Sequence, residues 1–408
     1  MYRRDIDLKL YLLVFLVTLE VVVHITGISL FGGDITTWLT LTLGLIMGCF
    51  PILCSQSERV LPNQTLSPSY LLWLIFLLVG LLVLHYGEEV FTKVDIDYRK
   101  ADMLPVIKVM SERFLSGEDP YMTIPQIWDG IQPIYLPALW MPYSLAALCN
   151  IDMRWISVIW ILLGLAGYLH IIQSYVHGLR SKLLGVLPGV LVVTFMFSLD
   201  DSAITMTQEG VVIGYYMLLA YAIYRKKTIA IGIALGLCMM SRYYLLPWLS
   251  CYLIALFFLK SPRKSLQTIA ALVFTCFLLI IISKVGPHLS MIMGLSDHYL
   301  DAVVSDTEKF IYTMEHSGGM GRYFFPARMG LLQSLLLGGS LVIPVVGFLI
   351  YKRARFEMDV QMYSLCLLKI SMVWALSFMI IPYQYLFLPS LFVSLFMIPT
   401  YLRHREAD

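Results

Sequence analysis

Long apolar runs separated by short polar segments dominate the chain. Most of these runs are about 17–23 residues long, enough for a helix to cross a hydrocarbon core of roughly 30 Å. The tilted alternation of apolar and polar residues that marks an outer-membrane barrel is absent. The pattern predicts twelve spanning helices, near residues 8–30, 36–54, 70–86, 156–176, 183–199, 210–224, 228–241, 243–259, 265–284, 328–350, 362–380 and 383–402.

One further apolar stretch, 133–149, carries the prolines Pro133, Pro137 and Pro142. Proline removes a backbone donor and breaks helices, which favours a re-entrant or half-buried element. An ordinary kinked span is the alternative.

The positions of the basic loops favour the re-entrant interpretation. Basic residues in short loops are expected on the cytoplasmic side, and all of the strong basic loops fall there only if 133–149 enters and returns. That arrangement predicts both termini inside and two long outer loops, 87–132 and 286–326. The basic loops are Arg3–Arg4, Arg225–Lys227, Lys260–Lys264, Lys352–Arg355 and Arg403–Arg405.

Composition agrees with a membrane protein. The chain is 59% hydrophobic and 14% charged, and its mean hydropathy is +0.78. A soluble domain carries about 25% charged residues. The net charge of +2 suggests no nucleic-acid partner, and the seven cysteines show no metal-ligand spacing. The predicted fold class is all-α, a polytopic transmembrane helical bundle of about 12–13 membrane segments.

The loop 87–132 contains nine acids and five bases. Within it, Pro105–Leu115 has the pattern of an amphipathic helix with Val106, Val109, Met110 and Phe114 on one face. Such a helix is expected to lie flat in the membrane interface. Asp102 would precede its positive end and stay ionised there.

Short motifs in this loop and beyond it resemble GT-C glycosyltransferases. The similarity is closest to bacterial mannosyl- and arabinofuranosyl-type transferases and to GPI mannosyltransferase I. The similarity covers roughly residues 70–400. It rests on the order of the motifs along the chain more than on any single motif. The motifs are Val94-Asp95-Ile-Asp97-Tyr98, Asp102-Met-Leu-Pro105, Gly117-Glu-Asp-Pro120-Tyr121, Tyr135-Leu-Pro137, Gln208-Glu-Gly210, Gly232-Ile-Ala-Leu-Gly236, Ser241-Arg242-Tyr243 and Gln384-Tyr385-Leu-Phe-Leu-Pro389.

The resemblance implies transfer of a sugar, usually with inversion, from a polyprenyl-phosphate sugar to an acceptor on the outer face of a bacterial inner membrane. The acceptor is a glycan, glycolipid or protein. No nucleotide cofactor is expected, and the resemblance leaves open whether a divalent cation is required. Residues 70–408 would form the catalytic domain. Residues 1–69 would add two helices that the family usually lacks and that need not alter the site.

Such a reaction needs a carboxylate to accept the proton of the acceptor hydroxyl. It also needs cations to hold the departing phosphate. The resemblance makes Asp102, Asp97 and Asp95 alternative candidates for the base. The residues of the acidic motif match at Asp97, whereas the sequence spacing between the acid and Gly117 matches the family better at Asp102.

Arg242 is the candidate for the donor phosphate. It follows an apolar run too short to span the bilayer, and an arginine below the membrane surface is functional by default. The alternative is an arginine that snorkels to the headgroups. The other candidate substrate-binding residues could instead be helix caps, solvated loop residues or belt tyrosines; they are Tyr243, Gln208, Glu209, Tyr121, Tyr135, His298, His316, Arg322, Gln384 and Tyr385.

Two other functions remain open. A transporter or flippase of a lipid-linked glycan would show internal repeats and ionisable residues near the midplane of several spans. Here no repeat is evident, and the ionisable residues of the sequence gather at the predicted outer edge. A glycan polymerase or ligase would also use a large outer loop, but the acidic balance of 87–132 speaks against an arginine-based site.

Overall fold

The computed structural model describes most of the chain as helix. The residues outside this description are 1, 55–69, 129, 177, 199–201, 243–244, 260, 306, 316, 354–359, 381–382 and 406–408. Within the described part the helices are, in chain order, α1 Tyr2–Cys54, α2 Tyr70–Lys93, α3 Met103–Leu115, α4 Pro137–Trp140, α5 Ser144–Cys149, α6 Arg154–Tyr175, α7 Leu179–Ser198, α8 Ser202–Thr205, α9 Glu209–Tyr224, α10 Thr228–Met239, α11 Leu246–Leu259, α12 Pro262–Ser283, α13 Leu289–Ser305, α14 Thr307–Glu315, α15 Gly321–Phe324, α16 Met329–Arg353, α17 Val360–Ser377, α18 Leu388–Leu395 and α19 Met397–Arg405. Short 3₁₀ turns lie at Met141–Tyr143, Gly286–His288 and Gln384–Phe387.

Eight helical segments of the described residues are long and apolar enough to cross a bilayer, and three shorter apolar helices accompany them. The predicted spans all coincide with these segments. The prediction of a helical, multi-pass membrane bundle is therefore confirmed.

The first of these segments is a helical pair. Gly32 has φ 75° and ψ 164°, a left-handed φ that glycine tolerates. A Cβ added to Gly27 would lie 2.8 Å from Thr36 Cγ2. Glu20 and Gly48 would stand about 42 Å apart in one continuous helix, yet both lie against one level of α17. The chain therefore reverses at Gly32, and the two arms, 2–31 and 33–54, match the two separate spans that the sequence predicted. We call them the N-terminal helical pair.

The proline-containing stretch 133–149 does not cross the bundle. It is broken into α4, a 3₁₀ turn and α5, each of three to six residues. Arg154, which follows the stretch, donates to the carbonyls of Phe91 (2.8 Å) and Val94 (2.5 Å), which precede it. Entry and exit therefore lie at the same end of the bundle, as the favoured re-entrant interpretation requires.

The amphipathic helix α3 packs on protein. Val106 and Met110 are buried as predicted, together with Leu104 and Ile107. Phe114 makes an edge contact with Trp140, with ring centroids 5.5 Å apart. The re-entrant stretch therefore covers part of the apolar face, and the placement of α3 in the membrane interface stays a prediction.

Helices α10 and α12 approach each other through glycine. A Cβ on Gly232 would lie 2.4 Å from the Thr268 carbonyl oxygen, and one on Gly236 would lie 2.8 Å from Thr275 Cβ. Small residues four apart let two membrane helices come this close. The close pair fixes the end of α10, from which Arg242 follows.

A side chain added at this contact should therefore lower the stability of the folded bundle. We expect Gly232→Val to destabilise the protein by about 1–3 kcal/mol, the usual cost of overpacking. The measurement is the thermal unfolding midpoint of purified protein in detergent.

The matched control is Gly80→Val in α2, because nothing lies within 4 Å of a Cβ built there. Equal midpoints for the two variants would contradict the close packing of α10 on α12.

Candidate functional site

The start of α9 and the chain after α10 are joined by an ion pair. Arg242 donates to Glu209 Oε1. The Glu209 side chain is 0% exposed and that of Arg242 is 18% exposed. Gln208 Oε1 and Glu209 Oε2 are buried without a hydrogen-bond partner among the described residues. Since buried polar atoms are normally satisfied, these two oxygens mark a polar region inside the bundle.

The re-entrant stretch brings Tyr135 to this pair. The Ala138 N–H donates to the Met240 carbonyl over 3.0 Å, two residues before Arg242. The Tyr215 hydroxyl of α9 donates to the Ala138 carbonyl over 2.9 Å. Backbone groups outside a helix at membrane depth need such hydrogen-bond partners. Because Ala138 finds them on Met240 and Tyr215, Tyr135 lies next to α9 and Arg242.

Asp102 lies at the start of α3, where it makes no side-chain capping bond. It is half-buried, and this desolvation raises the pKa of its carboxyl above the usual aspartate value. The sequence suggested a capping position that keeps the group ionised. The structure confirms the position before α3 without a capping bond, and the ionised state stays a prediction.

The segment after α17 contributes two tyrosines. The rings of Tyr383 and Tyr385 are stacked, with centroids 5.4 Å apart and an interplanar angle of 7°. The Tyr385 hydroxyl lies 3.6 Å from Met103 Sδ, so this segment reaches the residue after Asp102.

These groups act on one another electrostatically. Charges on Asp102, Arg242 and Glu209 all influence the Tyr135 hydroxyl, whose pKa is raised mainly by burial. Tyr385 lies in the field of the same Glu209–Arg242 pair. We call the set the acid–tyrosine cluster; its members are Asp102, Tyr135, Glu209, Arg242, Tyr383 and Tyr385.

The other two candidate acids stand outside this cluster. Asp97 pairs with Arg99, whose Nε lies 3.0 Å from Asp97 Oδ2, and this contact lowers the pKa of the Asp97 carboxyl. Asp95 is exposed. Of the three acids, Asp102 is the one whose charge acts on Tyr135 together with Arg242 and Glu209.

Tyr121 supports Tyr135. It is 0% exposed, its hydroxyl donates to the Tyr135 carbonyl over 3.1 Å, and it accepts a bond from Trp140 Nε1 over 3.0 Å. Its hydroxyl is thus engaged within the protein. The structure gives this candidate substrate ligand a positioning contact.

Two residues at the start of the second long loop were missed by the sequence reasoning. His288 stacks on Tyr121 with centroids 5.2 Å apart and lies 3.0 Å from Asp119 Oδ2. Lys284 Nζ donates to the Gly117 carbonyl over 2.8 Å. The two long loops therefore lie at the same end of the bundle and are joined there. No spacing in the sequence indicates this pairing, because it links positions about 170 residues apart.

The end of the second loop contacts the N-terminal helical pair. Arg322 Nε lies 3.1 Å from Asp34 Oδ1, which engages this candidate ligand at the turn between the two arms. The glycines of this loop are closely packed: Gly318 packs on Phe387, and a Cβ on Gly321 would lie 2.6 Å from the Ile380 carbonyl oxygen.

Gln384 is also engaged by the N-terminal helical pair. Its amide Nε2 donates to the carbonyls of Val23 (3.3 Å) and His24 (2.7 Å). The remaining candidates, Tyr243, His316 and the side chain of His298, lie outside the described residues.

No family model, curated protein or solved structure matches the chain. In the part of the chain that the structure describes, no group of three His, Cys, Asp or Glu side chains is arranged to hold a metal ion.

The buried pair generates a stability prediction. Arg242→Ala should destabilise the protein by about 1–3 kcal/mol, because it leaves the Glu209 carboxylate buried without its donor. The double change Glu209→Gln/Arg242→Ala should recover most of this loss, since a neutral amide costs less to bury than an unpaired carboxylate. Thermal unfolding in detergent measures both. Equal losses in the single and double variants would show that the pair does not hold the folded protein together.

Proposed function

We propose that this chain is a membrane glycosyltransferase that uses a polyprenyl-phosphate sugar as donor. One observation supports this proposal above the others. Residues from five separate segments of the chain, which the motif order had singled out, meet in the acid–tyrosine cluster. A half-buried carboxylate of raised pKa and a partly exposed arginine thereby both act on the Tyr135 hydroxyl.

In the proposed reaction Asp102 accepts the proton of the acceptor hydroxyl. The acceptor oxygen forms a bond to the anomeric carbon of the sugar as the bond from that carbon to the phosphate oxygen breaks. The lipid phosphate leaves with the electron pair. A phosphate is a good leaving group, so the chemistry requires one base and a cation rather than a strong acid.

Arg242 is the proposed cation. A guanidinium carries five N–H donors in a planar fork, which suits the oxygens of a phosphate. Glu209 fixes its orientation from one side. Tyr135, Tyr383 and Tyr385 surround the pair with aromatic surface and hydroxyls that suit a sugar and the first units of a prenyl chain.

The proposed setting is a bacterial inner membrane with the cluster at the outer face and both termini in the cytoplasm. The support is the distribution of charge. The basic segment Arg225–Lys227 follows α9, and Lys352 and Arg353 form the last turn of α16. Both lie at the end of the bundle away from the two long loops. The acceptor is a glycan, glycolipid or protein that reaches the cluster from the aqueous side.

One observation favours a second candidate, a transporter of lipid-linked glycans. Glu20 and Lys369 form an ion pair in which both side chains are 0% exposed, near the middle of their helices. Ionisable residues at the bilayer midplane are typical of ion-coupled transport. Movement of a labelled lipid-linked sugar across proteoliposomes without sugar transfer would favour this candidate over the enzyme.

The catalytic proposal predicts that Asp102→Asn lowers turnover about 10²–10⁴-fold, the usual contribution of a positioned base. The exchange preserves size and removes the proton acceptor. Asp97→Asn and Asp95→Asn are matched controls and should keep near-normal turnover. The assay is transfer of labelled sugar from a polyprenyl phosphate. Full activity in Asp102→Asn would remove Asp102 from this role, and loss in Asp97→Asn would move it there.

The same carboxylate should limit activity at low pH. Asp102 works only when deprotonated, and its pKa is raised, so kcat/KM should fall as pH decreases through a value above about 3.9, the ordinary aspartate pKa. This acidic limb should disappear from the residual activity of Asp102→Asn.

The orientation predicts that Ser116→Cys and Glu308→Cys, one in each long loop, react with an impermeant thiol reagent in intact cells. Ser116 is exposed, and native Cys149, also exposed, should first be changed to Ser to remove its signal. Protection of both cysteines until the cells are lysed would place the cluster in the cytoplasm and contradict a periplasmic reaction.

A further inference from the structure

The N-terminal helical pair contacts both of the segments that border the acid–tyrosine cluster. At its turn, Asp34 pairs with Arg322, and the Thr37 hydroxyl lies 3.5 Å from the Gly319 carbonyl. In its first arm, the carbonyls of Val23 and His24 accept bonds from Gln384. These contacts reach the second loop and the segment that carries Tyr383 and Tyr385.

A buried polar bridge anchors the same arm in the core. Lys369 Nζ donates to Glu20 Oε1, to the Ser390 carbonyl over 3.0 Å and to Ser390 Oγ over 2.8 Å. All three donors of the ammonium are therefore used. One side chain thus joins the N-terminal arm, α17 and the start of α18.

The position of this bridge relates it to the cluster. Ser390 follows Tyr385 by five residues, and Tyr385 itself lies in the 3₁₀ turn Gln384–Phe387. Phe387 makes an edge contact with His24, with ring centroids 5.7 Å apart. The N-terminal arm therefore holds the tyrosine segment at two points. It binds Gln384 directly through two carbonyls, and it reaches Ser390 through the Glu20–Lys369 pair.

We propose that the N-terminal helical pair is an integral part of the binding site, in which Glu20, Lys369, Ser390 and Gln384 position Tyr383 and Tyr385 for a phosphate-bearing lipid. These four are positioning residues, because they act on the cluster through the tyrosine segment. The inference rests on the proposed function for the identity of the ligand. It predicts that affinity for the lipid depends on residues buried away from the cluster.

Glu20→Leu/Lys369→Met tests this role. Replacing a buried ion pair by apolar residues of similar size often leaves stability unchanged, but it removes both bonds to Ser390. The probe is undecaprenyl monophosphate added to purified full-length protein in detergent, with binding followed by the quenching of tyrosine and tryptophan fluorescence. We expect the double variant to unfold near the wild-type midpoint and to bind about tenfold more weakly, equivalent to about 1.4 kcal/mol.

The matched control makes the same chemical change on the surface. Glu89→Leu/Lys93→Met removes an ion pair of 2.5 Å whose side chains are 46% and 67% exposed, and it should leave binding unchanged. The ratio of kcat to KM effects gives a second readout. In the core variant KM for the donor should rise more than kcat falls, because Asp102 and Arg242 are retained.

Three outcomes separate the inference from the proposed function. Wild-type binding with unchanged affinity in the folded core variant would overturn the inference alone. No binding by the wild type would overturn the proposed function and the inference with it. If the core variant does not fold, Ser390→Ala and Gln384→Leu, which bury no unpaired charge, must weaken binding for the inference to stand.

Discussion

Burying a charge inside a membrane is costly enough that it must be paired, and two such pairs organise this bundle. Glu20–Lys369 joins the N-terminal arm to α17, and Glu209–Arg242 joins α9 to the chain after α10. The first pair links helices that are far apart in the sequence, whereas the second joins neighbouring segments on either side of α10. Since truncating one member would leave its partner unpaired and buried, each pair fixes the relative position of its helices as well as contributing polar contacts.

The two pairs differ in what surrounds them, and the difference separates a structural contact from a binding contact. The Lys369 ammonium uses all of its donors within the protein. One carboxylate oxygen of Glu20 and one of Glu209 lack partners among the described residues, as does Gln208 Oε1 next to Glu209. Only the second pair has a partly exposed cation, Arg242. Unsatisfied polar atoms beside an accessible guanidinium are what a site for a polar ligand requires before the ligand is bound.

The length of the apolar runs was sufficient to predict the spans, because a helix that crosses the membrane must match the thickness of its hydrocarbon core. The basic loops added the return of 133–149, which agrees with the bonds from Arg154, after the stretch, to the carbonyls of Phe91 and Val94 at the end of α2. The face of α3 followed from its spacing, but its neighbour did not, since a periodic pattern identifies an apolar face and not what covers it. The tight turn at Gly32 was predicted only as a gap between two spans.

The candidate site was predictable as a set of residues and not as a geometry. Motif order singled out Asp102, Tyr135, Glu209 and Arg242 without indicating that Arg242 pairs with Glu209. The contacts of His288 with Tyr121 and of Gln384 with the His24 carbonyl join distant positions through side chains that have no distinctive local pattern. Long-range pairing of this kind depends on how the helices pack.

The packing also shows that the two N-terminal helices are an integral part of the bundle. An added helix in lipid gains little from apolar contact alone, because the lipid tails are as apolar as the helix. The N-terminal arm is instead joined to the bundle by polar groups, through Glu20 and through the carbonyls that receive Gln384. Those bonds end at the segment that carries Tyr383 and Tyr385. The arm is therefore connected to the tyrosine segment of the cluster by polar contacts and not by apolar packing alone.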